Sequence, residues 1–509
     1  MFAKIASFGV RGLSGFLVTA EADISGGLPG MTVVGLPDSA VKESGERVRS
    51  ACKNLGYGWP ASRITVNLAP ADTKKTGPVY DLPLLLALMA AQGAIPMPGA
   101  HQAFVGELGL DGSLRPVAGI LPMALCAAEC GITELFVPAG NAAEASAAEG
   151  LTVYAADTAA QVVEHLRGET TLAPCPARPY EPCADGDFPD FADVHGQLQA
   201  RRALEIAAAG GHNALLIGPP GTGKTLLAQR LPGILPPLTR QESIEVTKIY
   251  SVAGMLPAGS GLVGQRPFRS PHHSVSPAAL AGGGTNLHPG EVSLAHNGVL
   301  FLDELPEFGR ASLEVLRQPI EDGMVTVSRV SGTACYPSRM MLVAAMNPSK
   351  CGYFGHPTRA CTCTPSAIQR YRQRISGPLL DRIDLHVDVP PVDFEDLASQ
   401  KGGECSADIR KRVLAARAVQ QKRYEGTGVT CNAQLPAKLL RRYCVLTDEA
   451  EALLREAFDS MGLSARAYDR ILKVSRTIAD LAGTPRIELE HIAEALQYRS
   501  LDRKYWFDQ

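Results

Sequence analysis

The chain lacks any apolar run long enough to cross a bilayer. Its most apolar stretch, Leu82–Ala91, falls far short of the ~20 residues that a spanning helix needs. It also lacks an excess of charge of either sign. A net charge of −3 over 509 residues excludes a chain that is basic throughout, so nucleic-acid contact would fall to local Lys/Arg clusters. The first residues, Met1–Phe16, carry two basic side chains but no uninterrupted apolar segment, which argues against a signal peptide. Twelve cysteines are present but form no dense framework, so reduced thiols of a cytoplasmic protein are expected. There is no internal repeat and no low-complexity tract.

What is present is an ordinary globular composition, 45% apolar and 20% charged, in a chain too long for one core. Residues 1–166 alternate strand-like runs (Met31–Val34, Ile64–Leu68, Ala103–Gly106, Leu135–Val137) with helical ones (Ser39–Lys53, Leu82–Gln92, Met123–Glu129), an α/β pattern. Residues 167–189 hold five prolines and read as a linker. Residues 190–390 give a second α/β unit with apolar strands at Ala214–Ile217, Gly298–Leu302 and Met340–Ala345. Residues 391–509 turn helical, at Ile409–Arg423, Ala437–Tyr443, Thr447–Met461, Ala465–Ala482 and Leu489–Tyr498.

The second unit carries the chemistry. Gly218-Pro219-Pro220-Gly221-Thr222-Gly223-Lys224-Thr225 fits GxxxxGK[ST] between a strand and a helix, the context a phosphate loop requires. Its backbone N–H groups and the helix N-terminus would face phosphate, Lys224 would reach the β/γ-phosphates of ATP, and Thr225 would hold Mg²⁺. The run Val299–Leu302 ends in Asp303 and Glu304, acids at the carboxyl end of a buried parallel strand. Asp303 suits Mg²⁺, and Glu304 suits the attacking water. Asn347, at the tip of a third strand, can orient water near the γ-phosphate; an ordinary Asn-Pro turn is the alternative. Arg382, flanked by Asp381 and Asp384, is either a local ion pair or a guanidinium supplied across a subunit interface. Arg466 opens a lid helix and could reach a nucleotide; the plain alternative is an exposed helix arginine.

Two insertions surround the acidic strand. Ala281–His288 is glycine-rich, and Gly323–Cys335 alternates about a turn at Ser331-Gly332, which predicts a β-hairpin. Arg329 is its best basic candidate for a phosphate contact, against the plain reading of an exposed strand arginine. No aromatic residues interleave there to stack bases. Cys351, Cys361 and Cys363, with His356 between, could form a tetrahedral zinc site; free thiols are the alternative.

Together these residues resemble the ComM/YifB family of magnesium-chelatase-like AAA+ ATPases over nearly the whole chain. The most particular stretches are Arg266–Ala281, Pro289–Phe308 and Tyr371–His386. The resemblance implies that Asn347 is sensor 1, Arg382 the arginine finger and Arg466 sensor 2. It further implies a homo-hexameric, ATP-driven helicase acting on single-stranded or branched DNA. Such a helicase would promote branch migration in natural transformation, with recombination proteins as partners and no membrane. It also implies a fourth cysteine near Ser349, which this chain lacks. A chelatase-type motor driving metal insertion is the second reading, and an ATP-regulated scaffold the third.

Residues 77–140 resemble the proteolytic domain of Lon and the Lon-like domain of RadA, through Thr76–Asp81, Phe104–Gly109 and the run from Leu114 to Pro138. That likeness puts the protease serine's place on Val79 and the lysine's on Leu121. Neither side chain can act as nucleophile or base. The expected fold class is therefore α/β: a Lon-like domain without peptidase chemistry, a P-loop core with a parallel sheet, and a helical lid.

Overall fold

The computed structural model describes residues 1–176, 179–182, 188–284, 287–329, 332–392 and 403–502. They divide into two compact units, so parts of the expected linker (177–178, 183–187) and of the lid's start (393–402) lie outside the described residues.

The first unit comprises Met1–Glu181, Arg240–Val263 and Ala334–Tyr336. It begins with a hairpin in which Phe2–Arg11 pairs antiparallel with Ser14–Ser25, from Phe2↔Asp23 to Arg11↔Ser14. This hairpin has little of the β-branched alternation that marks strands in sequence; Ala3, Ala20 and Ala22 fill inward positions and are fully buried. The hairpin lies inside a seven-stranded mixed sheet. Its order is Gly30–Val34, Arg63–Ala69, Ser14–Ser25, Phe2–Arg11, Gln102–Phe104, Glu134–Pro138, Thr152–Ala156.

The most apolar stretch of the chain is the helix Asp81–Ala91, buried nearly all round, as expected of a core helix rather than a surface one. Its one charge, Asp81, is buried against Arg47 Nε at 2.6 Å and also accepts the Leu108 N–H at 3.2 Å. Val79 and Leu121 are both buried apolar residues of this unit. The segment Arg240–Val263 falls in a stretch that the sequence reading places in the second α/β unit. It packs here through bonds such as Gly119 N–H to Ser251 O (3.1 Å) and Gly259 N–H to Gly140 O (2.7 Å).

The second unit is built on a five-stranded sheet in the order Phe268–Arg269, Val299–Leu302, Met341–Met346, Ala214–Ile217, Leu385–Asp388, every pair parallel. Val299–Leu302, Met341–Met346 and Ala214–Ile217 are buried at every position, which is why they read as unbroken apolar runs. The strand before the phosphate loop is second from the edge, beside the strand Met341–Met346 that leads into Asn347.

Among the described residues, helices follow at Ser406–Arg423, Ala437–Tyr443, Asp448–Met461, Ala465–Ala482 and Leu489–Asp502. A buried polar network ties them to the sheet. Asp480 accepts from Arg423 Nη1 (2.9 Å), Arg476 Nε (3.1 Å) and Asn432 Nδ2 (2.9 Å). Thr477 Oγ1 meets His212 Nε2 at 2.7 Å, and His212 Nδ1 meets Asp384 at 3.2 Å. Burial raises the Asp384 carboxyl, but His212 and Arg470 outweigh it and hold the group well below the usual carboxylate range.

Gly282–Gly283 pairs antiparallel with His288–Pro289, and Met324–Arg329 with Gly332–Pro337 forms a separate two-stranded sheet, the hairpin predicted from alternation. Residues 330 and 331 of its turn and the side chain of Arg329 lie outside the described residues. Among the described residues no helix is long and apolar enough to cross a membrane.

Candidate nucleotide site

The phosphate loop leaves the strand Ala214–Ile217 and enters the helix Lys224–Arg230. Gly218 is required by close packing, since a Cβ there would lie 2.2 Å from Val389 O. Gly223 takes φ +86, the left-handed turn that opens the helix. Lys224 is 8% exposed, and its ammonium donates to Gly218 O and Pro219 O at 2.8 Å and to Asn347 Oδ1 at 3.2 Å. Burial lowers its pKa to about 8, against an opposing pull from Asp303 and Glu304. Thr225 Oγ1 donates to Asp303 Oδ2 at 2.6 Å, so the two side chains suited to Mg²⁺ come from different elements and meet.

Asp303 Oδ1 accepts the Glu304 N–H at 2.9 Å, and Glu304 itself has φ +52, a strained turn that projects an exposed carboxylate at the strand end. The structure thus brings Lys224, Thr225, Asp303, Glu304 and Asn347 together. The donor set fits a nucleotide with Mg²⁺: a glycine-turned helix N-terminus, one ammonium, and a hydroxyl touching a carboxylate.

The two arginines stand apart from this cluster. The local-pair alternative for Arg382 needs correcting in its partner. The guanidinium pairs with Glu321, distant in sequence, and donates to Pro378 O at 2.7 Å, while Asp384 is taken by His212 and Arg470. Sequence neighbours on a short helical turn point in different directions, so flanking acids were poor guides. Arg466 is exposed at the start of Ala465–Ala482, capped by Ser464, and makes no hydrogen bond or ion pair among the described residues.

Two features were missed by sequence reasoning. A cavity of about 710 Å³ is lined by Val194, His195, Gly196, Gln197, Arg201 and Glu404, among others. Gln197 has φ +53 and donates to Thr222 O (3.3 Å) and Pro390 O (2.6 Å), linking this cavity to the phosphate loop. The second is His273, whose Nδ1 lies 3.6 Å from Glu304 Oε2 and whose ring stands 4.0 Å from that of His272. The signal was available in the paired histidines before the Ala281–His288 insertion, but their partner is revealed only by folding.

Cys351, Cys361 and Cys363 are gathered as the spacing suggested, but His356 is not with them. Its Nδ1 accepts the N–H groups of Thr358 and Arg359, both at 3.1 Å, and Ser349 takes the place beside the sulfurs instead. Burial works against the Cys351 thiolate, yet hydrogen bonds from Ser349 and the N–H groups of Tyr353 and Thr362 bring its pKa down to about 5.

A parallel sheet with a phosphate loop, an acidic neighbour strand, an asparagine strand between them and a trailing helical bundle defines the AAA+ class of P-loop proteins. Models of the magnesium chelatase subunit ChlI match residues 20–141 and 190–397, and its C-terminal region matches 403–499. The chain is 46% identical to the competence protein ComM of Haemophilus influenzae, covering 98% of each chain. It is also 46% identical to YifB of Salmonella typhimurium, over 96% of this chain and 94% of that one. Lon protease 1 of Sorangium cellulosum is 27% identical over 139 residues, 26% of this chain and 17% of that protein. The chain belongs to the ComM/YifB family of magnesium-chelatase-like AAA+ proteins. Membership of that family implies ATPase activity.

Proposed function

We propose that this chain is an ATP-hydrolysing, hexameric DNA motor that promotes branch migration while transforming DNA is integrated. The observation that carries the DNA part is its end-to-end likeness to a protein named for competence. In this reading Lys224 neutralises the β/γ-phosphates, and Thr225 and Asp303 would hold Mg²⁺, whose charge would offset the negative charge of the phosphates. Glu304 polarises the attacking water, and Asn347, held by Lys224, orients it. The cavity beside Gln197 takes the base. Arg382 exchanges Glu321 for the γ-phosphate of a neighbouring subunit, and Arg466 reaches a nucleotide from the lid. The two insertions meet DNA, with Arg329 on a phosphate. Residues 1–166 serve assembly or DNA contact, joined through 167–189 to the core 190–390 and lid 391–509, in the cytoplasm.

The match to a magnesium chelatase subunit favours one other reading, a motor that drives metal insertion into a porphyrin. ATP turnover measured with and without single-stranded and branched DNA separates the two. Stimulation of several-fold is expected. Turnover unaffected by either DNA would overturn the DNA reading.

A further inference from the structure

The loop that leaves Asn347 does more than return the chain. Between residues 349 and 363 it folds three sulfurs into one place: the Sγ atoms of Cys351, Cys361 and Cys363 lie within 4.8 Å of one another, with Cys351 and Cys361 3.4 Å apart. None is in a disulfide. Corners of a tetrahedron whose centre-to-sulfur distance is about 2.3 Å are separated by roughly this spacing. A hydroxyl stands beside two of the sulfurs. Ser349 is fully buried, and its Oγ lies 3.4 Å from Cys351 Sγ and 3.8 Å from Cys361 Sγ.

The surrounding backbone favours negative charge on one of the sulfurs. The N–H groups of Tyr353 and Thr362 are directed at Cys351. Donors aimed at sulfur stabilise thiolates, the form that binds metal. Soft thiolates crowded together select zinc over the hard cations, which prefer oxygen.

We propose that Cys351, Cys361 and Cys363 bind one Zn²⁺ per chain, with the Ser349 hydroxyl at the fourth, weaker position. The site would be wired to the nucleotide loop by packing. Gly352, at φ +85, lies so close to Pro220 that a Cβ would come 2.5 Å from the proline ring. Ser349 also follows Asn347 by only two residues. The ion would therefore brace the phosphate loop and the asparagine strand tip from one side. A site with three thiolates and a hydroxyl should hold zinc less firmly than a closed four-thiolate one.

The test uses the full-length protein and reads metal, so its failure leaves the ATPase reading untouched. Elemental analysis should give one zinc per chain. Co²⁺ in its place should show thiolate charge-transfer absorbance, absent in a Cys351→Ser/Cys361→Ser/Cys363→Ser variant. Ser349→Cys should raise that absorbance by about a third and slow zinc loss to EDTA by roughly tenfold. This gain-of-binding variant keeps the test decisive if the triple variant misfolds. Zinc or cobalt well below one per chain, no thiolate absorbance, or unchanged zinc loss in Ser349→Cys would each overturn the proposal.

Discussion

Burial holds the Lys224 ammonium at a pKa of about 8, below the ordinary lysine range, although it donates to two carbonyl oxygens. Below that pH the free protein already carries the proton that phosphate needs. Above it, nucleotide binding must take a proton up, so affinity should fall as pH rises, by up to tenfold per unit. Titration calorimetry at pH 7, 8, 9 and 10 reads this directly, and constant affinity to pH 10 would contradict it. Lys224→Ala should abolish turnover, measured as phosphate release. Glu304→Gln should keep nucleotide affinity within a few-fold while lowering turnover on the order of a hundredfold or more, because it keeps the loop and removes the group that acts on water. The phosphate loop and the acidic pair were legible because their chemistry demands contiguous residues in fixed order. His273 beside Glu304, Gln197 beside Thr222 and Glu321 beside Arg382 were not, because each pairing joins residues that only the fold brings together.

At the scale of elements, sequence periodicity located the three central parallel strands and the lid helices within a few residues, since continuous apolar runs and 3.6-residue spacing are strong signals, but not the edge strands Phe268–Arg269 and Leu385–Asp388. The N-terminal hairpin escaped because several of its inward side chains are alanine, which carries no strand signature. The helix Asp81–Ala91 was legible as helix but not as the holder of a buried ion pair. Asp81→Ala would strand Arg47 and the Leu108 N–H, and should lower stability by about 3 kcal/mol. Chemical denaturation followed by circular dichroism measures this, and a loss under 1 kcal/mol would show that the pair is dispensable. The paired segments Gly282–Gly283 and His288–Pro289 bracket the glycine-rich insertion Ala281–His288. Shortening this insertion to a two-residue turn should leave basal turnover within about twofold and remove its stimulation by DNA. Equal loss of both would mean the insertion only supports the fold.

At the scale of the whole molecule, Arg382 stands outside the cluster formed by Lys224, Thr225, Asp303, Glu304 and Asn347, bonded instead to Glu321. A finger acting between subunits makes Arg382→Ala and Glu304→Gln each inactive alone but complementary when mixed. One variant contributes the arginine and the other the intact acid, and turnover should reappear in mixed assemblies. If Arg382 acts within its own chain, mixing restores nothing. The central claim is that this cycle drives DNA. It is tested most directly by a three-strand exchange substrate, with displacement of the labelled strand followed on a gel in ATP and Mg²⁺. The wild-type chain should extend the heteroduplex, and Glu304→Gln should bind the same substrate without extending it. ATP turnover at the wild-type rate with no strand displaced would contradict the account.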